Sequence, residues 1–184
     1  METRNKFIKT LPNVITTLRI IGAIFLILVS YGSIKFFIIY TLVGLTDALD
    51  GYFARKFNVQ SRVGATLDSI ADLIFYFVIL IKLMPTLLAV LPNLVWYGVA
   101  IVVILRIFCY IFVAIKFHKF ASIHTYLNKL SSLVIFLLPY FVISSFLRNY
   151  AFVVVSITLL AVTEEIIIHT TAKTYATKKS LFFE

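Results

Sequence analysis

Asp47, Asp50, Asp68 and Asp72 are half of the eight acidic residues in the chain. All four fall in one apolar stretch, residues 42–77, "LVGLTDALDGYFARKFNVQSRVGATLDSIADLIFYF". The first pair is three residues apart and the second four, so each shares one face of a helix. The segment 56–62 between the pairs is short enough to turn the chain back and set both pairs at similar depth. Two like charges about 6 Å apart repel by roughly 3 kcal/mol at an effective dielectric of about 20. A carboxylate inside a membrane costs a further few kcal/mol. Such groups either protonate or share cations. Arg55 and Arg62 are near in sequence, but both sit towards water and are placed to snorkel. Carboxylate oxygens are hard ligands, suited to one or two Mg²⁺ or Mn²⁺ ions. Neither His nor Cys falls among them, which argues against zinc.

Small residues flank the carboxylates. Gly51 is four positions after Asp47, Gly64 is four before Asp68, and Ala54 continues the Asp47–Asp50 face. A stretch with so little side chain lets a bulky ligand approach the helix backbone. Close helix packing alone explains any one of them. With four carboxylates interleaved, a ligand site is the better reading.

These residues need helices to hold them, and the composition places those helices in a membrane. Of 184 residues 61% are hydrophobic and 14% charged, against about 25% charged in soluble domains. Six apolar segments follow one another: Val14–Ser30, Ile34–Ala54, Val63–Leu83, Leu91–Ala114, Leu127–Phe146 and Tyr150–Ile168. Each approaches the roughly 20 residues that cross a bilayer as a helix. Strand-type alternation is absent, which disfavours a β-barrel. Breaks are expected at "YGS" (31–33), "MPTLLAVLP" (84–92) and "RNY" (148–150). The expected fold is therefore an all-α integral membrane protein with six transmembrane helices. Ahead of them, residues 1–12 mix basic and apolar side chains. They suit an amphipathic helix on the inner interface, with Pro12 marking the turn into the first span. One domain fills residues 1–184: interfacial segment 1–12, bundle 13–170 and cytoplasmic tail 171–184.

With the amino terminus inside, most of the 17 basic residues fall on the cytoplasmic side, while Lys35, Lys82 and Arg148 fall outside. The net charge of +9 is thus a topology signal and an attraction to anionic lipid. So hydrophobic a chain is not a nucleic-acid binder. The single Cys109 permits no internal disulfide and reads as a packing thiol.

The pattern D-x-x-D-G-x-x-A-R followed by G-x-x-x-D-x-x-x-D is present in full at Asp47, Asp50, Gly51, Ala54, Arg55, Gly64, Asp68 and Asp72. It resembles the signature of the CDP-alcohol phosphotransferase (CDP-alcohol phosphatidyltransferase) family of membrane lipid-synthesis enzymes. "LPNVITTLR", leading into the first span, extends the likeness. The resemblance implies that a CDP-linked lipid, such as CDP-diacylglycerol, is attacked by the hydroxyl of a polar acceptor alcohol and that CMP is released. It implies two divalent ions, Mg²⁺ or Mn²⁺, held by Asp47, Asp50, Asp68 and Asp72, with Asp72 as general base. It places Asp47, Gly51, Ala54, Arg55 and Gly64 against the CDP moiety. It also implies a homodimer, and the basic-residue bias puts the site on the cytoplasmic side of the cell membrane.

Arg106 stands in the middle of an apolar span, and an intramembrane arginine points to a functional site. Its position resembles an arginine of phosphatidylglycerophosphate synthases that lies in the pocket for a phosphorylated acceptor. Lys129, in "YLNKLSS", resembles a lysine of the same enzymes. Both are assigned to acceptor binding. The competing roles are structural pairing for Arg106 and snorkelling for Lys129. Glu164 and Glu165 suit a structural ion pair with Arg106. His169 is expected at the surface. The last aspartates read "DSIADL", where the phosphatidylglycerophosphate synthases usually show D-P-x-x-D-K. Glycerol 3-phosphate ranks first as acceptor. Serine, inositol phosphate or a lipid headgroup remain alternatives, and divalent-cation transport is the rival from another class.

Overall fold

The computed structural model describes residues 2–57, 62–117 and 125–171. The side chains of residues 2–12, 48, 50–55, 61–63, 65 and 69 fall outside that description. The described residues form α-helices joined by turns: α1 Glu2–Leu28, α2 Ile34–Lys56, α3 Arg62–Val90, α4 Asn93–Phe117, α5 Tyr126–Phe141 and α6 Leu147–Thr171. Three stretches are long and apolar enough to cross a membrane, Thr66–Val90, Asn93–Phe117 and Leu147–Thr171; Asn13–Leu28 and Tyr126–Phe141 are shorter apolar stretches. The chain separates into two compact units, residues 1–85 and 86–184.

In the first unit α1 packs along α2. Gly22 makes this possible: a Cβ there would lie 2.6 Å from a methyl of Val43. Without the hydrophobic effect to drive helices together in lipid, such close approach is what holds a pair. Ala23, Leu26 and Val43 are buried around it. Gly22→Leu is therefore expected to destabilise the unit by about 1–3 kcal/mol, the usual cost of overpacking. Thermal unfolding in detergent should show the loss, and adding Val43→Ala should recover part of it. An unchanged melting temperature would contradict this packing.

The expected turn at 31–33 is present. Gly32 takes φ 84°, a backbone region that glycine enters without steric cost. Ser33 Oγ accepts from Phe36 N at 3.1 Å and donates to Ser30 O at 2.8 Å, starting α2. Lys82 donates to Val29 O, supplying a partner for a carbonyl at the end of α1. The Phe36, Tyr40 and Phe75 rings stack in series, with centroids 6.0 and 5.4 Å apart, and tie α2 to α3.

Three expected boundaries differ. Helix α1 runs without a break through Pro12, so the chain does not turn into the span there; the amphipathic character of residues 2–12 rests on side chains outside the description. Helix α3 continues through Pro85 to Val90, seven residues past the expected end at Leu83, because a membrane helix tolerates proline. Helix α5 ends at Phe141, and Arg148–Tyr150 lie in the first turns of α6. Ser144 is the reason. Its N–H donates to Phe141 O at 2.9 Å and its carbonyl accepts from Leu147 N at 3.1 Å, so the break falls at 142–146.

In the second unit α6 packs on both α4 and α5. Gly98 repeats the close approach of Gly22, with its missing Cβ 2.6 Å from a methyl of Val155. Thr125 caps α5 by accepting from Asn128 N at 3.1 Å. Tyr150 stacks on Phe141 at 4.0 Å and donates to Val134 O at 2.8 Å. Lys116 donates to the carbonyls of His169 and Thr170 at 2.8 and 3.0 Å, where cations suit the end of a helix.

Candidate functional site

In the first unit three of the four predicted carboxylates converge. Asp47 comes from α2, and Asp68 and Asp72 from α3. Each offers an oxygen within 4.8 Å of those of the other two. The guanidinium of Arg19 stands among them. Its Nη1 donates to Asp68 Oδ1 at 2.8 Å and to Asp72 Oδ1 at 2.6 Å, and lies 3.3 Å from Asp47 Oδ1. Arg19 Nε donates to Thr46 Oγ1 at 3.3 Å, and Thr46 is itself anchored on Val43 O. The arginine side chain is 1% exposed, whereas the aspartates are 39–56% exposed. A buried cation thus forms the floor of the cluster and the carboxylates form its open side.

Arg19 went unassigned in the sequence. It lies 27 to 53 residues from its partners, and no local spacing reveals such a pairing. One signal was available: it is the lone basic residue in the apolar stretch 13–28, the same feature that singles out Arg106.

The donor set fits the predicted metals. Oxygen donors alone are presented, as hard divalent cations require. Among the described residues three carboxylates face one guanidinium, leaving an excess of two negative charges (three minus one). Asp50, Gly51, Ala54 and Arg55 lie on α2, but their side-chain surroundings fall outside the description. Gly64 is half-buried in the first turn of α3.

A second polar group lies in the other unit. Arg106 Nη1 pairs with Glu165 Oε2. Its Nη2 donates to Asn128 Oδ1 at 3.3 Å, and Asn128 Nδ2 donates to the same Glu165 oxygen at 3.2 Å. The structural ion pair expected for Glu164 or Glu165 is therefore present at Glu165. A guanidinium carries five N–H donors, so this pairing leaves capacity for a phosphate. Lys129 is exposed, its Nζ 5.7 Å from the centre of the Tyr126 ring.

His169 corrects the sequence expectation: it is fully buried. It sits one helical turn after Glu165, 3.8 Å from that carboxylate, and near the Phe117 ring. Lys116 reaches over it to the end of α6. Cys109 is buried as expected and brings its sulfur within 4.8 Å of ligand atoms of Glu165 and His169. Arg106 supplies a counter-charge for Glu165. The segment 118–124 between α4 and α5 lies outside the described residues.

Comparison with known proteins points to one family. The family model described as CDP-alcohol phosphatidyltransferase matches residues 9–167. A CDP-diacylglycerol–inositol 3-phosphatidyltransferase of Candida albicans is 47% identical over 64 residues, 34% of this chain and 27% of that protein. A CDP-diacylglycerol–glycerol-3-phosphate 3-phosphatidyltransferase of Rickettsia bellii is 33% identical over 84 residues, 43% of this chain and 46% of that protein. The protein of the same name from Escherichia coli K12 is 34% identical over 67 residues, 34% of this chain and 37% of that protein. The chain thus spans less than half the length of these curated relatives. No solved structure matches it significantly.

Proposed function

Because this chain belongs to the CDP-alcohol phosphatidyltransferase family, we propose that it transfers the phosphatidyl group of CDP-diacylglycerol to the hydroxyl of a polar acceptor and releases CMP. The observation that carries this reading is the convergence of Asp47, Asp68 and Asp72 on one point with their open side exposed. Cation transport would need acidic residues spread through the membrane depth. A cluster flanked by Gly51 and Gly64 suits a bound diphosphate instead.

Asp47, Asp50, Asp68 and Asp72 would hold two Mg²⁺ or Mn²⁺ ions. Such ions neutralise diphosphate charge and stabilise the leaving phosphate. The acceptor oxygen forms a bond to the lipid-side phosphorus, the bond from that phosphorus to CMP breaks, and the hydroxyl proton passes to a carboxylate. Asp72 takes that proton in this reading. Its Oδ2 carries the lone pairs a base needs, and Arg19 engages Oδ1 in the metal-free site. Gly51, Ala54, Arg55 and Gly64 border the CDP moiety. The reading includes one domain of six membrane-spanning helices, a homodimer, and a site on the cytoplasmic side of the cell membrane.

Glycerol 3-phosphate is the proposed acceptor, with Arg106 and Lys129 gripping its phosphate. The relatives named for glycerol 3-phosphate and for inositol leave the two acceptor classes to be separated by assay. Labelled glycerol 3-phosphate, inositol phosphate, inositol and serine should be offered with CDP-diacylglycerol. Glycerol 3-phosphate should give the product. Arg106→Ala should raise its KM about 30- to 150-fold, the worth of a charge-assisted bidentate contact of roughly 2–3 kcal/mol. Affinity for the CDP-lipid should be spared. An unchanged acceptor KM in folded protein would reduce Arg106 to the partner of Glu165, and serine or another uncharged acceptor would move ahead.

A further inference from the structure

Arg19 is more than a partner of three aspartates, because one nitrogen serves all of them. Nη1 carries two hydrogens, which go to Asp68 and Asp72, and Asp47 stands against the same atom at 3.3 Å. That atom lies where a cation bridging the three carboxylates would have to lie. Mg²⁺ binds oxygen at about 2.0–2.1 Å, whereas these oxygens stand 2.6–3.3 Å from Nη1. An ion placed among them would draw the oxygens inward and leave no room for the guanidinium nitrogen at their centre. Two positive charges at that spacing would also repel.

The backbone of α1 is not free to carry Arg19 away. One turn further on, Gly22 locks α1 against Val43 of α2. The side chain has a second hold in Thr46, which takes Nε rather than Nη1. A guanidinium can keep the Thr46 bond while its Nη1 swings off the carboxylates, because the fork is rigid but the stem has several rotatable bonds.

We propose that Arg19 is a resident counter-cation of this site. It holds Asp47, Asp68 and Asp72 together when no metal is bound, and it gives up its central position to a divalent ion. The consequence is competition: Arg19 sets a threshold for metal binding, so the site fills best when a diphosphate adds negative charge of its own. This inference rests on the reading that the carboxylates hold a divalent cation. It makes Arg19 a positioning residue rather than a catalytic one.

The test is Mn²⁺ binding to the purified full chain in lipid nanodiscs, followed by electron paramagnetic resonance without any substrate. Arg19→Gln removes the charge and keeps hydrogen-bonding capacity for Thr46. It should bind Mn²⁺ at least tenfold more tightly than the wild type. With EDTA its melting temperature should fall below that of the wild type, and saturating Mn²⁺ should raise it by a larger increment, since at a given concentration a tighter ligand of the folded state stabilises more. Where Arg19→Gln does not fold, Arg19→Met decides: it keeps an unbranched stem without the charge, so Mn²⁺ affinity should again rise at least tenfold. Equal or weaker Mn²⁺ binding in the folded variants would overturn the inference and leave the metal site standing. No Mn²⁺ binding in wild type or variants at millimolar concentration would overturn both.

Discussion

Asp72→Asn is expected to lower the rate of CMP release by about 10²- to 10⁴-fold, the usual worth of a positioned general base, while CDP-lipid binding stays near that of the wild type. Asparagine keeps the volume of the side chain and one carbonyl oxygen. It removes the group that would take the acceptor proton. Loss of proton transfer acts only as attack proceeds, so the effect belongs in kcat rather than in ground-state affinity. Single-turnover CMP release and calorimetric binding of the CDP-lipid separate the two. Asp68 gives the contrast. It bonds the same Arg19 nitrogen but is assigned only to the ions, so Asp68→Asn should weaken metal and CDP-lipid binding together. If Asp72→Asn lost binding and turnover in proportion, Asp72 would be a ligand only and the base would have to be sought elsewhere.

Glu165→Ala is expected to destabilise the protein by about 3–5 kcal/mol, the cost of leaving a desolvated charge without its partner. Glu165 is 1% exposed and Arg106 24%. Among the described residues, alanine would leave the guanidinium the Asn128 amide oxygen alone. The double change Arg106→Leu with Glu165→Leu should recover most of that loss, because a buried pair replaced by apolar side chains is often neutral or stabilising. The pair then separates fold from function. The double variant should melt near the wild-type temperature yet bind glycerol 3-phosphate as poorly as Arg106→Ala. Wild-type acceptor affinity in the stable double variant would show that Arg106 only packs α4 against α6.

Much of this could be read from the chain because it is local. The aspartates declare themselves by spacings of three and four, which one helix turn converts into a shared face. The turn at 31–33 declares itself by Gly32. The ion pair at Arg106 was legible because two rare charges in apolar spans have few possible partners. The rest depends on contacts that spacing does not encode. Arg19 belongs to the aspartate cluster only because Gly22 lets α1 approach α2, and no pattern within 13–28 states where α1 docks. Pro85 and Pro139 lie inside helices, so proline marks a boundary less reliably in these segments than in a soluble chain. His169 reads as a helix-end polar residue; its burial follows from Phe117 and Lys116 on α4, a tertiary effect.

The central claim is that the Asp47–Asp68–Asp72 cluster performs metal-dependent phosphatidyl transfer. The most direct test is CMP release from CDP-diacylglycerol and glycerol 3-phosphate by the purified protein in nanodiscs. It should be measured in excess EDTA and again after adding Mg²⁺ or Mn²⁺ beyond the chelator. No release above background is expected in EDTA, and full return with either ion. Undiminished CMP release in EDTA would contradict it.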